Sequence, residues 1–198
     1  MKKLSLDEIV TVLQSQRASD DEVCDAAHQI FLTADRRAAT PLIQRLAQSS
    51  DSYWVRAKLV NALSVLRLAE ATDLLLDIFS SRTEHTDVRG AAAIALGGIA
   101  DPRAVEPILE TLKSGDSRLS YACVAALGEI GDPRAVDSLV EALKMDDVLA
   151  PQAAAEALGR IGSAAMKALP ELQNLAENGS DAQKRFALEA VSRIRKSV

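Results

Sequence analysis

Apolar positions in this chain recur on two scales. Between 117 and 143 they fall at Leu119, Cys123, Ala126, Leu127 and Ile130, then at Val136, Leu139, Val140 and Leu143. Each set lies on one face at the 3.6-residue helical period, so two amphipathic helices are predicted there. On the longer scale the same phrase returns: Leu96, Leu127 and Leu158 hold one position at intervals of 31 residues. A fixed period of this size marks stacked units, each burying its apolar face on its neighbours.

Punctuation between the helices agrees with the pattern. Gly131 stands where a helix end calls for a left-handed residue, and Asp132-Pro133 then opens the next helix with an N-cap and a proline that needs no donor. Asp101-Pro102 does the same one unit earlier. Upstream, Val55-Arg56 with Leu63 matches Val88-Arg89 with Leu96, and Ile30 with Arg37-Ala38 and Pro41-Leu42-Ile43 extends the register by another unit. Downstream, Val191 lies 33 residues after Leu158 in a predicted last helix over 181–195. Ser5 and Glu8 form a capping box before a first helix over 6–16. The expected fold is all-α, a right-handed α-solenoid of about five helix pairs with an extra helix at each end. It is expected as a single domain over 1–198: a cap helix in 1–17, helix pairs in 18–179 and a C-terminal helix in 180–198.

Composition narrows the function. The chain is 48% apolar but only 3% aromatic, a mix that suits close helix packing through Ala, Leu, Val and Ile. A net charge of −5 argues against a nucleic-acid surface, which needs a basic excess. The opening MKKLSLDEIV lacks the apolar stretch of a signal peptide, no run is long enough to span a bilayer, and Cys24 and Cys123 fit no redox spacing. A cytoplasmic protein is expected.

The phrase A-L-G-x-I-G-D-P-R-A-V-x-x-L-x-x-A-L, spelled by 126–143, resembles the short HEAT-like repeats of the phycobilisome (PBS) lyase type. The resemblance covers most of the chain, most clearly 88–175. It implies a helix-pair scaffold in a bacterial setting and, among relatives, bilin lyase subunits, phycobilisome-degradation factors, a di-iron deoxyhypusine hydroxylase and adaptor modules. The hydroxylase branch holds iron through His-Glu dipeptides, whereas here His28 precedes Gln29 and His85 precedes Thr86. Cys24 and His28 share a helix face, yet no second pair completes a zinc shell. No catalytic residue, cofactor or metal is therefore assigned.

The register does suggest a binding face. In solenoids of this type the second helix of each pair lines the concave side. Three successive second helices carry Asp73/Asp77, Glu106/Glu110 and Asp137/Glu141, each pair at i,i+4. Like charges so spaced mildly destabilise a helix, which favours a purpose for them, although such residues also serve simply to solvate a surface. Leu74 and Ile78 are expected to be exposed beside them, next to Pro107, giving an apolar patch rimmed by acids. Basic residues concentrate at the ends: Arg36, Arg37 and Arg45 in the first pair, and Lys184, Arg185, Arg193, Arg195 and Lys196 in the last helix. Tyr53 and Trp54 are candidate aromatic anchors or covers for a gap between repeats. The expected function is a non-catalytic scaffold or adaptor holding another protein with a basic or mixed basic/apolar surface along the acidic concave face. The alternatives are a phycobilin lyase subunit or phycobilisome-degradation factor, in which case a bilin is bound, and an immunity-type inhibitor of a basic toxin.

Overall fold

A computed structural model describes residues 3–48, 51–146 and 149–197. Every regular element among them is helical, and the chain divides into two compact units, Met1–Ile99 and Ala100–Val198.

The first unit opens with α1 (Leu6–Gln14), whose capping box is formed as predicted: Ser5 accepts from the Glu8 amide while Glu8 accepts from the Ser5 amide. The helix stops two residues before the expected end, at the Ser15 cap. Then follow α2 (Asp20–Thr33), α3 (Ala39–Gln48), α4 (Tyr53–Leu66), α5 (Thr72–Ser80) and α6 (Thr86–Ile99). Helices α2, α4 and α6 lie side by side as a first layer; α3 packs on α4 and on α1, and α5 packs on α6. In the second unit α7 (Val105–Lys113), α9 (Val136–Ala142) and α11 (Leu169–Asn178) pack against α8 (Ser117–Ile130), α10 (Ala150–Ile161) and α12 (Asp181–Lys196), respectively, while α8, α10 and α12 form that unit's first layer. The even-numbered helices from α2 onward are first-layer, or A, helices; the odd-numbered ones from α3 are B helices. Among the described residues A and B helices alternate along the chain, all-α as expected.

Two sequence devices set the repeat. Each A helix of a pair is followed by a residue with positive φ: Ala34, Arg67, Ala100, Gly131 and Gly162, at 50°, 47°, 59°, 71° and 72°. The turn recurs at the repeat spacing even where alanine or arginine stands in place of glycine, the residue that adopts it without strain. Next comes a 3-10 turn leading into the B helix, at Arg36–Ala38, Pro102–Ala104 and Pro133–Ala135. Its aspartate cap does double duty. Asp132 accepts the Arg134 amide and also holds the Arg134 guanidinium through both oxygens, and Asp35–Arg37 and Asp101–Arg103 repeat the clamp. These hydrogen bonds hold the Asp35 and Asp132 carboxyls below the usual carboxylate range.

Packing between A helices depends on small residues. A β-carbon at Gly128 would sit 2.7 Å from that of Ala157, and one at Gly159 would sit 3.0 Å from the Ala190 backbone. Helices α8, α10 and α12 approach so closely that these positions admit only hydrogen.

Candidate functional site

The B helices carry the predicted carboxylates on their outer faces. Asp73 and Asp77 are exposed on α5, Glu106 and Glu110 on α7, Asp137 and Glu141 on α9. The inward residues of the same helices explain the orientation: Leu75 and Phe79 fix α5, Ile108 and Leu112 fix α7, and Leu139 with Leu143 fixes α9. Each acidic pair points away from that apolar stripe.

Two expectations about this face need correction. Ile78 is not part of an exposed patch: it is buried to 5% exposure, and only Leu74 is half-exposed. Helix α5 holds five apolar residues in nine, and its rotation sends Leu75, Ile78 and Phe79 inward together. Ala142, at the same repeat position, is buried too.

The second correction concerns charge. In the second unit the stripe is not a bare run of acids. Arg134 Nη1 lies 3.3 Å from Glu106 Oε1, and Lys167 Nζ lies 2.5 Å from Asp137 Oδ1. Lys144 bridges Glu141 and Glu171, both at 3.3 Å, and these partners raise its own pKa, Glu171 foremost. Arg134 and Lys167 occupy one register, 33 residues apart, at the turn that precedes each B helix. The cation of one repeat therefore reaches back to the first carboxylate of the preceding B helix. The resulting face alternates in sign. Among the described residues, no ion pair engages Asp77 or Glu110.

The arginines of the first pair are structural rather than steering groups. Arg37 belongs to its Asp35 clamp, and Arg36 donates to the Leu66 carbonyl at 3.2 Å. Arg45 forms a two-pronged pair with Asp51, at 2.9 and 2.7 Å, and donates to the Ser15 carbonyl; both side chains are only 10% exposed. Sequence reading also missed a carbonyl-capping role for arginine. Arg56 donates to Leu46 O and Arg89 to Phe79 O, each tying an A helix to the last turn of the B helix before it. The signal was available, since Val55-Arg56 and Val88-Arg89 share a register.

Tyr53 and Trp54 begin α4, an A helix, and are 48% and 40% exposed. Tyr53 stacks on His85 with ring centroids 3.8 Å apart, so it covers the loop before α6 while keeping one face open. Cys24 is half-buried, and burial pushes its thiol pKa up, away from the reactive thiolate. Among the described residues no group of three or more His, Cys, Asp and Glu side chains is placed to hold a metal ion. A cleft of about 170 Å³ between α1 and α3 is lined by amides, Gln14, Gln16, Gln44 and Gln48, beside the Arg45–Asp51 pair, with no nucleophile beside a base. No helix of the described residues is long and apolar enough to cross a membrane.

The family described as HEAT repeats matches residues 80–150, and the PBS lyase HEAT-like repeat matches 151–178. A comparison with curated protein sequences finds no match. Among solved structures, a designed armadillo repeat protein in complex with the peptide (KR)4 superposes with a TM-score of 0.72 at 18% identity, over 96% of this chain and 100% of that one. The complex of CpcE and CpcF of phycocyanin lyase from Nostoc sp. PCC7120 gives 0.63 at 19% identity, over 99% of this chain and 70% of that one. Human deoxyhypusine hydroxylase gives 0.52 at 17% identity, over 95% and 84%. These likenesses speak to fold alone. The helix-pair period, the HEAT-repeat match over 80–150 and the PBS lyase HEAT-like repeat match over 151–178 together make residues 80–178 a run of HEAT-like repeats, in a chain whose fold is that of solved repeat proteins.

Proposed function

We propose that this repeat scaffold is non-catalytic and holds a protein partner on the B-helix faces of its units. The observation that carries the reading is the outward placement of Asp73, Asp77, Glu106, Glu110, Asp137 and Glu141 at equivalent repeat positions. Asp77 and Glu110 offer acceptors outside any ion pair among the described residues, and half-exposed Leu74 adds an apolar contact on α5. Glu106, Asp137 and Glu141 would exchange their present cations for those of the partner. Such exchange costs little, because exposed ion pairs contribute only about 0–1 kcal/mol. A partner with a basic or mixed basic/apolar surface fits this chemistry. The peptide (KR)4 bound by the designed armadillo protein is a precedent on a similar fold. Tyr53 and Trp54 are secondary anchors, off the B helices.

The test is capture from cells of the source organism with the native chain and with E106K/E110K/D137K as baits. The native bait retains a specific protein, and the triple reversal loses it at both low and moderate salt. Equal retention by the two baits would abandon the B-helix site.

A second reading is a subunit of a bilin lyase, favoured by the match over 151–178 and the likeness to CpcE–CpcF. It predicts a change in absorbance when the chain is mixed with a bilin.

A further inference from the structure

Helix α12 has the A-helix pattern. Gly159 of α10 meets Ala190 just as Gly128 of α8 meets Ala157, so α12 occupies the place of an ordinary A helix on the side facing α10. Its other side differs. Val124 and Ala155, equivalent to Leu188, are fully buried, yet Leu188 is 60% exposed. Leu127 and Leu158 are likewise buried, whereas Val191 is half-exposed. The B helix beneath repeats the contrast: Leu143 is buried and its equivalent Ala176 is half-exposed. Helices α11 and α12 thus keep apolar residues accessible at positions where other repeats bury theirs.

The flanking charges are specific in sign. Lys184, Leu188, Val191 and Arg195 fall at i, i+4, i+7 and i+11, a single line along α12 with cations at both ends. Arg185 and Lys196 lie alongside, and Arg185 also rests over the Phe186 ring at 5.3 Å. Arg193 is paired with Glu189, but no ion pair among the described residues engages Lys184, Arg185, Arg195 or Lys196. These four cations share one helix of a chain whose net charge is −5. Two copies of α12 packed antiparallel would set Lys184 and Arg185 against Arg195 and Lys196, so like charges oppose self-pairing.

From the pattern and the charge together, we infer that the open side of α12 is a docking surface for an acidic amphipathic helix of a partner protein. Leucine-type residues of that helix cover Leu188, Val191 and Ala176, continuing the stacking of the A helices. Its carboxylates meet Lys184, Arg185, Arg195 and Lys196. This surface, on α12 and the end of α11, is separate from the carboxylates of α5, α7 and α9 and stands whether or not a partner binds there.

The test uses the full chain and two labelled synthetic 18-residue helices, both with leucines at i, i+4 and i+7. One is flanked by glutamates, the other by lysines. Fluorescence anisotropy at low ionic strength should show the acidic helix binding about tenfold or more tightly than its basic twin. L188D should weaken the acidic helix by about tenfold without altering thermal unfolding, since the side chain is exposed. K184E/R195E should invert the preference between the two probes. Equal binding of both helices, or binding indifferent to L188D, overturns the inference. Concentration-dependent self-association abolished by L188D also overturns it, because the occupant would then be a second copy.

Discussion

Thr72 illustrates how far single atoms matter in this packing. It is fully buried at the start of α5, and its hydroxyl finds no hydrogen-bond partner among the described residues. Val105 and Val136 fill the same position in α7 and α9, both buried. A buried unsatisfied hydroxyl is unfavourable by about 1–3 kcal/mol, whereas valine has nearly the same shape. Thr72→Val should therefore stabilise the chain by about 1 kcal/mol, read from the midpoint of urea unfolding. The Asp-x-Arg clamps give a pH-dependent counterpart. Because Asp132 titrates lower in the folded chain, its contribution is present above the unfolded value of 3.8 and is lost as pH falls through the folded value. The stability gap between the native chain and Asp132→Asn should be open at neutral pH and close below pH 3.8, in thermal unfolding followed across that range.

Among elements, the tightest constraint is the seam between α8 and α10. Gly128→Ala gains helix propensity worth about 1 kcal/mol but brings a methyl to 2.7 Å from that of Ala157. Overpacking of this kind costs about 1–3 kcal/mol, so the single variant should be destabilised. Adding Ala157→Gly should recover most of the loss, and a double-mutant cycle would read the coupling directly. At this scale the sequence was highly legible. Helical periodicity, Asp-Pro openings and the spacing of Leu96, Leu127 and Leu158 are local signals, and each maps onto an observed helix or turn. Legibility ended where contacts join different repeats. The acids of the B helices were found by register, but their partners Arg134 and Lys167 reach them from a turn 28 and 30 residues away. Ile78 departs from its expected exposure for a related reason. In a helix as apolar as α5 the outward acids do not decide which apolar neighbours turn inward; Ala142 at the same position held the clue.

For the whole molecule, the acidic total conceals an uneven distribution. The B helices present carboxylates, three of them already paired in the second unit, while α12 holds uncompensated cations. Partner binding on the B-helix faces should therefore weaken with salt less steeply than a bare acidic stripe would require, since ion pairs are exchanged rather than created. Titration of a captured partner across ionic strength would measure that slope. The most direct measurement of the central claim is site-specific photocrosslinking of the full chain to that partner. The crosslinker is placed at Asp77 or Glu110 on B helices, and at Asn61 or Tyr121 on the exposed side of A helices. The scaffold reading predicts a covalent adduct from positions 77 and 110 and none from 61 and 121; adducts from 61 or 121 alone would contradict it.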